Sequence, residues 1–387
     1  MASEGHARLQ VGIIGCGIAG LSAAIALSRA GHDVEVYERS TFSNETGAAI
    51  ILGPNATRVL TRWGFDAEKA GGLDFCQMRR IKADTLELDS EQKFSNIKEK
   101  YGDRMLLLHR ADLHTGIMSI VEALPEPKPK IHLGSAVKDM EPEQGSIILE
   151  NGSTVSKDLV IVADGSHSRL IPRITGSEAP VIRLPMSMYR FLQPISDIMD
   201  RPEAAQFYKD QQPGFSTFYK AAVGKPGHLL NTYPCRRGFH PAVKAICEGA
   251  TDVKVYNQMY RNPIETFVKR RAVLVGDAAH LMLPTHGQGA SSAIEDAMAL
   301  EVLLKGVSSD QVVDRLQLFN ELRLPRVRAV QTFSNKMMGP PDKMIQEVKQ
   351  YFSGPIPAAG SKTFGPEFVD FFLSYDVKKA AEQLLKV

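Results

Sequence analysis

Three carboxylates in this chain each close an apolar run and stand beside a glycine or a helix: Glu38 in VEVYE, Asp164 in VIVADG and Asp277 in VLVGDA. A carboxylate fixed at a strand end can accept hydrogen bonds from sugar hydroxyls, and the N–H groups of a neighbouring glycine turn and helix N-terminus can hold phosphates. The glycines that such a site needs precede Glu38 in GCGIAG. Gly15 permits the tight turn out of a strand, Gly17 lets the backbone approach a pyrophosphate, and Gly20 lets the helix lie close to the sheet. Glu38 follows about 20 residues later, the spacing for a ribose diol. A carboxylate there repels a ribose phosphate, so FAD or NAD, rather than NADP, is the nucleotide expected.

The elements that must position these groups follow from the local pattern. Residues 9–14 read as a strand, the small-residue stretch up to Gly31 as a helix and residues 34–37 as a second strand, a βαβ unit. A mononucleotide site or a purely structural βαβ unit is the alternative. Gly53, Pro54 and Asn55 form a turn and N-cap for a helix with Ala56, Val59, Leu60 and Trp63 on one face. The alternation over 79–101 predicts a strand pair, and LLLHRADL a strand running into a helix with Arg110 at the junction. Arg110 reads equally as a phosphate or ribose contact and as an ordinary surface arginine; Arg39 reads either as a contact to the adenosine end or as solvated. Short strands at 131–133, 146–149 and 154–155 predict a meander. The apolar strand 159–162 leads to Asp164-Gly165 and a helical turn with Ser166, Ser168 and Arg169; a common Asp-Gly turn is the competing account.

Residues 180–270 change character, with alternating runs at 181–191, 214–223, 228–233 and 253–260 that predict an antiparallel sheet. The pattern reverts at 272–275, a buried strand ended by Gly276-Asp277, followed by a glycine loop at 284–289 and an amphipathic helix over 290–304. Pro/Gly breaks separate short helices at 342–352, 366–375 and 377–385, a helical cap or dimer contact.

Composition narrows the function classes. The 387 residues have room for two domains or one large domain with an insertion, and 43% are hydrophobic. Lys+Arg 46 against Asp+Glu 44, without a basic stripe, argues against nucleic acid as a partner. Cys16, Cys76, Cys235 and Cys247 lack metal-ligand or disulfide-framework spacing, so no metal is expected and a reducing, cytoplasmic compartment is. The early apolar run carries turn glycines and leads into a strand, unlike a signal peptide, and no membrane span is expected.

With the three junctions in order, residues 9–328 resemble the single-component FAD-dependent aromatic monooxygenases, the salicylate hydroxylase-like and phenol-dearomatising flavoprotein hydroxylases. The resemblance implies an α/β fold: a Rossmann-type, GR2-like FAD-binding domain (1–78, 102–178 and 270–335), an inserted antiparallel-sheet substrate domain (79–101 and 179–269) and a C-terminal helical region (336–387). It implies that Glu38 holds the adenosine ribose and Arg110 the ribityl or pyrophosphate side. Asp164 and Gly165 would serve the pyrophosphate or NADPH, and Asp277 the ribityl chain. With Pro284, the loop containing Gly287, Gly289 and Ala290 would meet the flavin pyrimidine ring, where the helix dipole favours negative charge. NADPH or NADH would act as a transient reductant, and O2 would give a flavin hydroperoxide attacked by a phenolic or other electron-rich aromatic substrate. Arg190, in MYRFLQP, matches an arginine that favours phenolate; Tyr233 and Tyr219 are read either as substrate hydrogen-bonding groups or as sheet packing. His280 reads as structural, and His286 has no assigned role. A monomer or homodimer is expected.

One departure stands out. Members of that family usually carry a strand and helix of about thirty residues after the YPC run, whereas here Gly238 leads directly into Phe239-His240-Pro241. This departure motivates one competing reading, a shortened, inactive flavin-binding remnant; a flavin-dependent epoxidase or oxidase of an alkene or indole on the same fold is the other.

Overall fold

The computed structural model describes residues 8–41, 49–82, 84–190, 200, 202, 212–220, 228–232, 254–336 and 339–386. The N-terminal part runs β1 (Gln10–Ile14), α1 (Ile18–Arg29), β2 (Asp33–Tyr37), β3 (Ala49–Leu52), α2 (Pro54–Trp63), β4 (Leu73–Asp74), β5 (Gln77–Lys82) and β6 (Leu88–Lys93). It continues through α3 (Ile97–Tyr101), β7 (Leu106–His109), α4 (Arg110–Ala123), β8 (Lys130–His132), β9 (Val137–Glu141), β10 (Ser146–Leu149), β11 (Thr154–Ser156) and β12 (Leu159–Val162). There follow α5 (Ile171–Thr175), β13 (Val181–Arg190), β14 (Gly214–Lys220), β15 (His228–Thr232), β16 (Lys254–Arg261), β17 (Val268–Lys269) and β18 (Ala272–Leu274). The C-terminal part is α6 (Asp277–His280), α7 (Gly289–Leu303), α8 (Val312–Asn335), α9 (Pro341–Val348), α10 (Pro366–Leu373) and α11 (Val377–Leu384).

The central sheet has the order β17-β18-β12-β1-β2-β8, parallel except for β17 against β18. Its middle strands are apolar because both faces are covered: every residue of β12 and β18 is buried. On one side α1 lies against α7, and the buried Ala23, Ala24 and Ala26 let the two helices approach closely. On the other side a three-stranded antiparallel meander, β11-β10-β9, brings Ile147 and Lys157 against Gly12, where a Cβ would stand 2.5 Å from Ile147 Cδ1.

Two strand expectations need correction. Residues 130–132 do not join the meander; they pair parallel with β2 as an edge of the central sheet, and the third meander strand is β9. The alternation of β9 is masked by Lys138, Asp139 and Glu141, and Met140 alone in it is fully buried. The 180–270 strands do not all pair with one another. β13 pairs with β16, whereas β14 joins β5, and that pairing is parallel within the four-stranded sheet β15-β14-β5-β6. The helix after Asp164 also starts later than expected, at Ile171, with Pro172 in its first turn where a missing N–H costs nothing.

A buried charge cluster ties α7 to α8. Arg323, wholly buried, lies 2.9 Å from Glu295 Oε2 and 2.9 Å from Asp296 Oδ1. Asp296 also faces His280 Nε2 at 2.7 Å and accepts from Gly276 N–H at 3.1 Å. Burial opposes ionisation of Asp296, but His280 and Arg323 outweigh it and hold the carboxyl below its ordinary range. Two buried carboxylates thus depend on one guanidinium. Arg323→Met should lower the unfolding free energy by about 3–5 kcal/mol, the cost of leaving buried charge uncompensated. Urea titration of the purified variant reads this directly, and an unchanged midpoint would mean the carboxylates are neutralised elsewhere.

Candidate cofactor and active site

Parallel pairing brings the motif segments together. Ile14 is in register with Tyr37 on one side and Val162 on the other, and Val162 is in register with Leu274. Four strands therefore end in one row. The chain leaves that row at Glu38, Gly15, Asp164 and Gly276-Asp277, the carboxyl edge where ligands of open α/β sheets bind. The row continues one step past the strands through Gly15 N–H to Tyr37 O at 2.9 Å, Ala163 N–H to Ile14 O at 2.9 Å and Val275 N–H to Val162 O at 3.0 Å.

The glycine turn differentiates its three glycines. Gly15 has φ +98° and packs so closely on the next strand end that a Cβ would lie 2.5 Å from Ala163 O. A Cβ on Gly20 would lie 2.0 Å from Gly15 O, so this glycine is required by helix–turn contact. A Cβ on Gly17 would meet nothing within 4 Å: that side of the turn faces open space. Glu38 is fixed beside it, accepting from Cys16 N–H and Ser40 N–H, each at 2.8 Å. His114, on α4, places Nε2 2.8 Å from Cys16 O and so connects the helix that Arg110 opens to the glycine turn.

Asp164 and Asp277 are joined by a residue that sequence reasoning missed. Arg261, at the end of β16 and 3% exposed, donates to Ala179 O at 2.7 Å, Ser166 O at 3.0 Å and Asp277 O at 3.3 Å. Burial lowers the Arg261 pKa, while Asp277 and Asp164 oppose that shift. Burial likewise pushes the Asp164 carboxyl up, against Ser168, Arg261 and Arg39. Asp164 Oδ1 has no hydrogen-bond partner among the described residues, while the Asp277 residue is exposed. No local pattern marks Arg261: it follows an ordinary strand, and its role comes from packing.

After α6, Pro284 opens a 3₁₀ turn that Gly287 ends with φ +64°. Gly289 and Ala290 then start the fifteen-residue α7, whose first N–H groups lack intrahelical partners. A Cβ on Gly289 would lie 3.9 Å from Asp277 Oδ1, placing this helix start beside that carboxylate. The loop is supported from below: Asn55 Nδ2 donates to Gln288 Oε1 at 3.1 Å and to Glu295 Oε1 at 2.7 Å.

The remaining sequence-derived candidates are placed as follows. Arg39 is exposed one residue past Glu38, close enough to Asp164 to act on its charge. Gly165, φ +84°, follows Asp164 with open space at its Cβ position. Arg190 is the last residue of β13, in register with Lys254, and Tyr219 lies in β14, in register with Leu229 and Lys82. Tyr233 and the junction after Gly238 lie outside the described residues.

Two family profiles match the chain. The family profile described as FAD binding domain matches residues 244–334, and that described as pyridine nucleotide-disulphide oxidoreductase matches residues 9–196. The chain is 31% identical to FAD-dependent monooxygenase cfoG of Aspergillus candidus, over 89% of this chain and 88% of that protein. It is 27% identical to hispidin-3-hydroxylase of Neonothopanus nambi, over 98% of this chain and 96% of that one. The crystal structure of CtdE in complex with FAD and substrate 4 superposes with a TM-score of 0.74 at 20% identity, covering 98% of both chains. The chain belongs to the FAD-dependent monooxygenases.

The site fits FAD on its own geometry. Open space at Gly17, a carboxylate fixed beside it, an acceptor without a donor at Asp164 and an exposed carboxylate at the start of α6 provide for a pyrophosphate and for sugar-type hydroxyls. Among the described residues, no helix is long and apolar enough to cross a membrane.

The two glycines predict opposite phenotypes. Gly17→Ala should change the stability of the FAD-free protein by less than ~0.5 kcal/mol yet weaken FAD binding by about tenfold or more, because its methyl enters the pyrophosphate space. Gly20→Ala should cost about 1–3 kcal/mol of stability through overpacking. Thermal melting without FAD and fluorescence titration with FAD separate the two, and equal melting points would contradict the assignment.

Proposed function

We propose that this chain hydroxylates a phenolic or other electron-rich aromatic molecule, with NAD(P)H and O2 as co-substrates. The observation that carries the reading is the register row: four motif segments from residues 14 to 277 converge on one sheet edge. A relative whose name describes hydroxylation of hispidin, aligned along nearly the whole chain, supports the ring-hydroxylating class. The proposed division is an FAD-binding domain of residues 1–78, 102–178 and 270–335, a substrate domain of 79–101 and 179–269 and a helical region of 336–387. A cytoplasmic monomer or homodimer completes the proposal.

Each residue has a task. Gly15, Gly17 and Gly20 shape the turn whose N–H groups hold the pyrophosphate; Glu38 accepts from the adenosine ribose, Arg39 meets the adenosine end, and Arg110 meets the ribityl or pyrophosphate side. Asp164 and Gly165 serve the pyrophosphate side or NADPH, and Asp277 accepts from the ribityl chain. Pro284 and Gly287 shape the turn, closed by Gly287 N–H to Pro284 O, from which Gly289 and Ala290 direct N–H groups and the positive end of α7 at the flavin ring, favouring negative charge there. Bound FAD supplies the oxygen-activating redox chemistry. Arg190 holds the substrate hydroxyl as its anion, which raises the electron density of the ring, and Tyr219 and Tyr233 hydrogen-bond the substrate. The sheets β13-β16 and β15-β14-β5-β6, which carry Arg190 and Tyr219, keep water out.

A second reading keeps FAD binding without turnover. It is favoured by alignment length: the match to hispidin-3-hydroxylase runs over 424 positions, more than the 387 residues here, so that relative carries residues with no counterpart in this chain.

Arg190→Ala should lower turnover about tenfold or more while FAD is retained, as expected for loss of a charge-assisted contact, whereas Asp277→Ala should lower FAD content. Absorbance of the purified proteins and NADPH consumption with a phenol panel read both. Equal FAD loss in the two variants would overturn the assignment of roles. With ¹⁸O2, label should appear in the product; label-free product would indicate an oxidase, and FAD binding without substrate-stimulated NADPH consumption would favour the inactive reading.

A further inference from the structure

Helix α10 touches both the 284–290 loop proposed for the flavin and the turn before α2. On one side, the His286 ring lies 4.7 Å from Phe372, 5.2 Å from Phe364 and 6.4 Å from Phe368, nearly parallel to the last. On the other, Leu373 packs so tightly on the turn before α2 that a Cβ on Gly53 would stand 2.7 Å from Leu373 Cδ2. Arg58, on α2, donates to Tyr375 O at 2.6 Å and Leu373 O at 3.3 Å, capping the C-terminal end of α10. The two loops are themselves joined by the Asn55–Gln288 hydrogen bond.

This helix has a firm backing. Arg326 of α8 donates to Phe371 O at 3.0 Å with its guanidinium 4.1 Å from the Phe371 ring. Phe333 meets Phe368 and Phe371 edge-on at 5.0 and 5.1 Å. The loop between is tied to the same support through Thr285 Oγ1–H to Ser334 O at 2.8 Å. His286 works in this arrangement as a flat, neutral ring: burial lowers its pKa to about 4, against a backbone contact from Thr363. Its Nε2 is closed off and has no hydrogen-bond partner among the described residues, and its Nδ1 lies 3.3 Å from the neighbouring Thr285 Oγ1, so ring contact is what joins the side chain to Phe364, Phe368 and Phe372.

We propose that the segment from Phe364 to Leu373 is part of the cofactor machinery, and that His286 is the positioning residue through which it fixes the 284–290 loop and the N–H groups of Gly289 and Ala290. The inference rests on the assignment of that loop to the flavin. Phe364 is the mildest probe, because it is 41% exposed and its removal leaves the Phe333 cluster intact.

The test compares Phe364→Ala, His286→Ala and His286→Phe, with Asp277→Ala as reference, by FAD titration, the visible spectrum of bound flavin and melting without FAD. Phe364→Ala and His286→Ala should each raise the FAD dissociation constant about two- to tenfold, the range an aromatic pair contributes, and should shift the bound-flavin bands. Phe364→Ala should melt like the parent without FAD, and His286→Phe should restore both affinity and spectrum. Unchanged affinity and bands in both alanine variants, with Asp277→Ala losing FAD, would overturn this inference alone. If Asp277→Ala also kept its FAD, the assignment of the site would fall and this inference with it. Failure of His286→Phe to restore what His286→Ala loses would also overturn the ring-contact role.

Discussion

The register between β2, β1, β12 and β18 is the constraint on which the site depends. A one-residue slip of any of these strands would move its terminal carboxylate or glycine out of the row and turn its buried side chains to the opposite face. Register is protected because a slip would repack both buried faces of β12 and β18 and would turn Asp33 and Glu35 of β2 into the positions of its buried valines. The backbone bonds that run one step past the strands extend the same protection to Gly15, Ala163 and Val275. Binding geometry is thus inherited from core packing.

A second layer of order is electrostatic. Glu295 and Asp296 sit one after the other on α7 beneath the glycine loop, and Arg323, His280 and Asn55 meet them from three separate segments. Asp296 also receives Gly276 N–H, the residue before Asp277. Arg261 plays the matching part from outside the sheet, holding the backbones at Ser166 and Asp277 together. Both arginines act through other residues: they set where backbones lie, and the backbones present the ligand-facing groups. Exact placement of an active site commonly needs such a supporting shell.

What could be read from the sequence was what short-range pattern encodes. The βαβ unit that carries Gly15, Gly17, Gly20 and Glu38, and the buried strands before Asp164 and Asp277, declare themselves through local glycine spacing and runs of apolar β-formers. Arg261, Arg323 and His114 were illegible because their partners are distant in sequence and their neighbours ordinary. The same limit applies to strands: whether residues 130–132 join the meander or the central sheet, and whether β14 seeks β15 alone or β5 as well, is decided by long-range pairing. In α8, Pro325 and the buried Arg323 and Arg326 blur the amphipathic stripe that would announce a twenty-four-residue helix.

The order of strands in the central sheet has a kinetic side. β1 is flanked by β2, made soon after it, and by β12, whose Leu159 pairs with Val11 148 residues earlier in the chain, and β12 waits in turn for β18 at Ala272. Until those later strands arrive, one edge of β1 is an unpaired, apolar ladder. Long loops must close before these contacts form, which makes such sheets slow to assemble and open to aggregation while they do so. The parallel arrangement that gathers distant motifs into one row therefore also means that the nascent N-terminal βαβ unit stands for a time with its most adhesive edge exposed.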